Sequence, residues 1–107
     1  MAIVTVPLNS DLPDYQVTAD LNGTTYIFGL RFSNRDGYWF LSLFDEDESP
    51  IFEGLRLVLG IDYCEMFSDE RIPEGALQLF NYASPYTECG RNDLGESCQL
   101  VFGYTES

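Results

Sequence analysis

The side chains that could carry chemistry in this sequence are mainly cysteines and carboxylates, because the chain contains no His. Histidine is the commonest general acid or base and the commonest metal ligand. A nucleophilic side chain would therefore need an unusual base beside it. The 18 acidic residues make a chance pair of carboxylates easy to find, so no pair points to glycoside hydrolysis. We predict no catalytic residue and no enzyme activity.

The three cysteines, Cys64, Cys89 and Cys98, do not form a recognised pattern. An odd count argues against a disulfide framework, and no pair has the Cys-x-x-Cys spacing of a zinc or redox site. We therefore expect buried free thiols. A bridge between Cys89 and Cys98 across a short loop and a metal site are the two alternatives.

Consecutive acids at positions 45–48 are the feature that most suggests a cation. Calcium loops place oxygen ligands at alternate positions and turn at a glycine, but this run has no internal glycine. The run is more typical of a solvated turn. The sequence also lacks a glycine-rich phosphate-binding motif, so we predict no metal and no other cofactor.

The formal net charge of −13 limits the kinds of partner. A surface of this sign repels nucleic acid and anionic lipid, so we expect no direct nucleic-acid binding and no membrane contact. No apolar run approaches the roughly 20 residues that cross a bilayer. The N-terminus lacks the basic region of a signal peptide, which predicts synthesis in a reducing cytoplasm.

All five basic residues are arginines. Arginine is enriched at protein interfaces, and its planar guanidinium group pairs with carboxylates through two hydrogen bonds. The candidate interface residues are Arg35, Tyr38, Trp39 and Arg56. Two alternatives stay open, since Arg35 can be a turn residue that pairs with a nearby acid and Trp39 can belong to the core.

β-strands must position these residues, because hydrophobic side chains recur with period two along most of the chain. The predicted strands are 2–6, 15–21, 24–32, 38–44, 50–59, 76–82 and 97–104. Asn22-Gly23 lies between two alternating runs and is a strong signal for a type I′ hairpin. Residues 38–44 are apolar on both faces, so this strand should be central or have one face in an interface. Residues 61–67 fit either one helical turn or an irregular strand.

Short strands at regular spacing, with almost no helix, define the expected fold class. They predict one all-β domain over residues 1–107, either a compact antiparallel β-sandwich or a small barrel of seven to eight strands.

The sequence resembles a family of phage tail baseplate plug proteins. The carrying segments are Leu-Asn-Gly-Thr-Thr-Tyr at 21–26, Leu-Arg-Phe-Ser-Asn-Arg-Asp-Gly-Tyr-Trp-Phe-Leu at 30–41, Pro-Ile-Phe-Glu-Gly-Leu-Arg-Leu at 50–57, Asn-Asp-Leu-Gly at 92–95, and Gln-Leu-Val-Phe at 99–102 with Tyr104. In order and spacing they cover most of the chain, while residues 64–86 fit less well.

The resemblance implies a non-catalytic structural protein in the core of a contractile-tail baseplate. Its partners would be other baseplate proteins, namely the hub and the tube initiator. It would occur in several copies, because tail assemblies have three-fold or six-fold symmetry. An acidic surface would suit a tube lumen through which DNA slides without sticking.

The acidic composition also fits a different class of protein, an inhibitor that imitates DNA and blocks a nucleic-acid enzyme. Such mimics arrange acids in rows at phosphate-like spacing, whereas here the acids cluster in predicted turns. We therefore prefer the structural role.

Overall fold

The strands of the structure follow the alternating runs of the sequence closely. The computed structural model describes residues 2–9, 11–21, 23–66, 70–72, 74–84 and 87–104. Within these ranges the strands are β1 Ala2–Val6, β2 Asp14–Leu21, β3 Thr24–Ser33, β4 Tyr38–Asp45, β5 Pro50–Arg56, β6 Ala76–Asn81 and β7 Cys98–Tyr104. The all-β prediction is confirmed.

The strands form two antiparallel sheets, which correspond to the sandwich among the two expected architectures. One sheet has the order β1-β7-β6 and the other has the order β2-β3-β4-β5. Leu21 pairs with Thr24 across the β2–β3 hairpin, as the Asn-Gly signal predicts. Gly23 has φ of 85°, a conformation that glycine adopts without steric cost; Asn22 lies outside the described residues.

One hydrophobic core fills the space between the sheets, because alternate side chains of each strand point inward. Its fully buried members from the four-stranded sheet are Leu21, Phe28, Leu30, Trp39, Leu41 and Leu43, and those from the three-stranded sheet are Val6, Leu77, Leu79, Cys98, Leu100 and Phe102. Burying one large apolar side chain stabilises the fold by about 1.5–3 kcal/mol. Both sheets thus depend on each other for stability.

Strand β4 lies between β3 and β5, so the prediction that residues 38–44 form a central strand is confirmed. Its inward residues Trp39, Leu41 and Leu43 are buried. Its outward residues Tyr38 and Phe40 are half-buried. Apolar residues therefore occur on both faces, although only one face lies in the core.

The predicted strand at 50–59 ends earlier in the structure than its apolar run. β5 ends at Arg56, and Leu59 then makes an isolated parallel bridge to Leu79 of β6. The chain thereby crosses from the four-stranded to the three-stranded sheet.

Residues 63–66 form a turn instead of a helical turn or an irregular strand, and Phe67 lies outside the described residues. The carboxylate of Asp62 stabilises this turn. The Asp62 Oδ1 atom accepts hydrogen bonds from the Cys64 N–H at 3.0 Å and from the Leu77 N–H at 3.1 Å. These bonds stabilise a tight turn against β6, a tertiary contact that local periodicity does not reveal.

The acidic run at 45–48 forms a turn around its first carboxylate. The Asp45 Oδ1 atom accepts hydrogen bonds from the N–H groups of Asp47 and Ser49, and its Oδ2 atom pairs with Arg71 at 3.0 Å. The Ser49 N–H, followed by the Arg71 guanidinium and the Asp47 N–H, holds the pKa of Asp45 below its ordinary value of 3.8. Among the described residues, no group of His, Cys, Asp and Glu could hold a metal ion.

Two of the three cysteines are bonded to each other, so the expectation of three free thiols is wrong. Cys89 and Cys98 form a disulfide with their Cα atoms 6.2 Å apart, while Cys64 is free and buried. The intervening loop folds tightly because the Cys98 N–H donates to the Asp93 carbonyl and the Gly95 N–H donates to the Cys98 carbonyl. This compact loop brings the two cysteines together.

Trp39 is a core residue that also positions this loop. Its side chain is 1% exposed and makes edge contacts with Tyr15 and Phe32. Its Nε1–H donates to the Gly90 carbonyl at 3.0 Å, next to the disulfide. Of the two roles considered for Trp39, the structure supports the core.

We predict that Trp39→Ala lowers the free energy of unfolding by about 3–5 kcal/mol, because truncating a buried aromatic leaves a cavity. Urea denaturation monitored by circular dichroism measures the change. Trp39→Phe serves as the control, since it keeps most of the apolar volume and loses the hydrogen bond to Gly90, and it should cost less than alanine. An alanine variant as stable as the parent protein would contradict a core role.

Reducing the disulfide should lower the free energy of unfolding by roughly 2–3 kcal/mol, because the bridge closes a loop of 9 residues and restricts the unfolded chain. Urea titrations with and without dithiothreitol measure the difference. Cys89→Ala should abolish the effect of the reductant, whereas Cys64→Ala should preserve it. A reductant effect of equal size in both variants would contradict the assignment.

Candidate protein interface

The outer face of the four-stranded sheet carries a row of arginine and aromatic side chains. The register pairs Arg31 of β3 with Phe40 of β4 and pairs Phe40 with Arg56 of β5. All three point away from the core because they alternate with the buried residues Leu30, Trp39 and Leu41. The register therefore places Phe40 between two arginine positions on the neighbouring strands.

Both arginines lie over aromatic rings. The Arg56 guanidinium carbon is 3.4 Å from the centroid of the Tyr38 ring, and the Arg31 guanidinium carbon is 5.6 Å from the centroid of the Phe40 ring. Contacts of this type are worth about 0.5–1 kcal/mol at exposed sites. Stacking restricts the rotamers of the arginines, so less entropy is lost when a partner binds.

Arg35 is exposed at the same end of the sheet, in the turn that connects β3 to β4. Ser33 stabilises this turn: its hydroxyl donates to the Asp36 carboxylate at 3.0 Å, and its carbonyl accepts from the Gly37 N–H at 2.8 Å. Gly37 has φ of 74°, which favours glycine. The turn presents Arg35 beyond the paired residues Ser33 and Tyr38.

The structure brings three of the four predicted interface residues to one end of this outer face: Arg35, Tyr38 and Arg56. Trp39 points the opposite way, because consecutive residues of a strand alternate between faces. Its burial removes its ring from any surface contact of the folded chain. We call Arg31, Arg35, Tyr38, Phe40 and Arg56 together the arginine–aromatic face.

Sequence reasoning missed Arg31 and Phe40. The available signal was the period-two alternation, which places Phe40 on the same face as Tyr38 two residues earlier. The pairing of Arg31 with Phe40 depends on the register between β3 and β4. That register is set by the intervening turn and by which side chains are buried.

The free cysteine is poorly suited to nucleophilic chemistry. Cys64 is 8% exposed, and burial raises the pKa of its thiol to about 12, with the Asp62 carboxylate acting in the same direction. The thiolate is the reactive form of cysteine. The Cys64 side chain therefore stays protonated and unreactive near neutral pH.

Fold and surface together define a small all-β domain with an exposed face of the composition found at protein–protein contacts. A family model described as cyanophage baseplate Pam3 plug gp18 matches residues 3–105. The chain belongs to this family and is a structural component of a phage tail baseplate, located in the virion, with other baseplate proteins as its neighbours. The match includes residues 64–86, where the sequence pattern resembles the family least. A search of curated proteins gave no significant match.

Within the described residues, no helix has the length and apolar character required to cross a membrane.

Native Cys64 should react slowly with iodoacetamide at pH 8.5, because a thiol with a pKa of about 12 is almost fully protonated at that pH. Without reductant the other cysteines are held in the disulfide, so mass spectrometry after trypsin digestion reports Cys64 alone. Urea should restore a rate close to that of free cysteine. Rapid labelling of the folded protein would contradict the raised pKa.

The same pKa gives a pH dependence of stability. Between the ordinary thiol value of 9.0 and about 12, the unfolded chain releases the Cys64 proton while the native chain retains it. Stability must therefore fall as pH rises through this window. Cys64→Ala should remove this part of the slope, leaving the fall caused by the buried tyrosines, whose pKa values are also raised by burial.

Proposed function

We propose that this protein is a non-catalytic packing subunit that contacts the hub and the tube initiator through its arginine–aromatic face. The stacked pair of Arg56 and Tyr38, with 3.4 Å between the guanidinium carbon and the ring centroid, is the observation that carries the proposal. Arginine and tyrosine are enriched among residues that dominate binding energy. Here they are ordered before any partner arrives.

The charges around this face support a protein partner. Asp14 of β2 pairs with Arg31 in the register, and Glu53 lies exposed on β5. The face therefore offers guanidinium donors on β3, on β5 and in the β3–β4 turn, and carboxylate acceptors on the two edge strands β2 and β5. Complementary charges on a partner would set orientation and register more than raw affinity.

The net charge supports a position next to the channel through which the DNA passes. A charge of −13 repels the phosphate backbone. A plug protein with this surface would let DNA pass without binding it. We further propose that the protein is made in the host cytoplasm and that several copies are arranged around the tail axis.

Removing the stacked pair should block assembly and leave the fold intact. In phage that carry Tyr38→Ala together with Arg56→Ala, we expect incorporation into gradient-purified particles to fall by roughly tenfold, as loss of a binding hot spot implies. Quantitative mass spectrometry against the major tube protein measures the copy number. In the parent phage we expect a few copies per particle, in a multiple of three.

Thr18→Ala is the matched control, because Thr18 is exposed on the edge strand β2 of the same sheet; it should be incorporated normally. The melting temperature of the double variant should fall only slightly, since losing the stacked pair costs about 0.5–1 kcal/mol. Absence of the parent chain from particles, together with competition against DNA for a nuclease, would replace the proposal with the DNA-mimic inhibitor.

A further inference from the structure

Charged residues are distributed unequally between the two sheets. The three described strands β1, β6 and β7 contain no Asp, Glu, Lys or Arg, although 21% of the chain is charged. The strands of the other sheet contain Asp14, Asp20, Arg31, Asp45, Glu53 and Arg56. A sheet face exposed to water on a strongly acidic protein would be expected to carry some of that charge.

The outer face of the three-stranded sheet is uncharged and exposed, and it is largely apolar with Thr5, Gln78 and Gln99 as its polar residues. Ile3 is 67% exposed, Phe80 is 42% exposed and Tyr82 is 68% exposed. The register aligns Ile3, Gly103 and Ala76 across the three strands, and the small residues leave a depression beside the larger ones. We call this surface, formed by Ile3, Ala76, Gln78, Phe80, Tyr82, Val101 and Gly103, the neutral face.

The depression is a groove of about 300 Å³ lined by all seven residues of the neutral face. A second groove, of about 580 Å³, lies on the other side of Phe80 and Tyr82 and reaches Leu59. The two rings, with centroids 6.2 Å apart, therefore form a ridge between two depressions. A ridge of exposed aromatics between apolar grooves has the form of a docking surface, because large apolar patches on soluble proteins usually mark interaction sites.

Acids lie near the two ends of the neutral face. Glu74 is exposed two residues before β6, and Glu96 is exposed two residues before β7, where its carbonyl accepts a hydrogen bond from the Gln99 side chain. Glu88 lines the second groove. None of the five arginines belongs to the strands of this sheet.

We propose that the neutral face binds a second baseplate protein whose contact surface has apolar side chains surrounded by lysines and arginines. The apolar side chains fill the two grooves, and the basic side chains pair with Glu74, Glu88 and Glu96. The identity of the partner as a baseplate protein rests on the proposed function. The neutral face and the arginine–aromatic face point in opposite directions, so one copy of the chain joins two neighbours.

Charge favours a basic partner over a second copy. Two copies that met through their neutral faces would bring two rims of glutamates together, on molecules that each carry −13. Like charges opposed across an interface suppress binding. A nucleic acid partner is also disfavoured, because its phosphates carry the same sign of charge as the glutamates.

The test uses phage particles in which p-benzoylphenylalanine replaces one residue of this chain. At Tyr82 the probe keeps an aromatic ring on the ridge, and we expect ultraviolet light to crosslink it to one other baseplate protein. Mass spectrometry of the crosslinked peptide should find lysine or arginine flanking the attachment point. The probe at Asp47, in the exposed acidic turn, is the control and should give little product.

A second measurement does not depend on the probe. Phe80→Ser should lower incorporation into particles by roughly tenfold without changing the melting temperature, because the ring of Phe80 points away from the core. Combined Glu74→Lys and Glu96→Lys should also lower incorporation. Normal incorporation of Phe80→Ser would overturn the proposal.

The crosslinking outcomes separate this inference from the proposed function. Crosslinks from Tyr82 to another copy of the chain, or to a partner surface without basic residues, would overturn the inference. In a further variant the probe replaces Tyr38; crosslinks from Tyr38 with none from Tyr82 would also overturn the inference and leave the proposed function standing. Absence of the parent chain from particles would overturn both.

Discussion

The burial of two sheet faces against each other is the constraint on which the rest of this structure depends. Period-two alternation gives every strand one apolar face, and a chain of 107 residues has room for a single modest core. Stacking the sheets buries residues such as Phe28 and Leu41 from one side and Leu79 and Phe102 from the other. Once these faces are occupied, the outward side chains of each strand are left for contacts with other molecules.

The two outer faces that result have different chemistry. The four-stranded sheet presents stacked pairs such as Arg56 and Tyr38, which offer directional donors to carboxylates and carbonyls. The three-stranded sheet presents Phe80 and Tyr82 between two grooves, and its described strands contain no charged residue. A small domain with two such faces is suited to lie between neighbours in an assembly, which agrees with its membership of a baseplate plug family.

Several half-buried or buried polar groups stabilise the fold through hydrogen bonds. The Asp62 carboxylate orders a turn against β6, and the Asp45 carboxylate orders the acidic turn and pairs with Arg71. The Trp39 Nε1–H attaches the disulfide-bonded loop to the core through the Gly90 carbonyl. Cys64 is kept protonated by burial. The hydrogen bonds of Asp62, Asp45 and Trp39 therefore stabilise the fold.

The sequence by itself determined most of the strands and the all-β class, because alternation, turn residues such as Gly23 and Gly37, and apolar content are local properties. Its motifs also carried the resemblance to the family, while the choice between sandwich and barrel stayed open. It also indicated three members of the arginine–aromatic face, since residue type alone suggests where arginine and tyrosine are used. Only the tertiary structure decided the role of Trp39, the bridge between Cys89 and Cys98, and the bridge of Leu59 to β6. The Leu59 bridge joins segments distant in the chain, and the role of Trp39 depends on which face of β4 is buried. The disulfide depends on the backbone hydrogen bonds that fold the loop between its two cysteines.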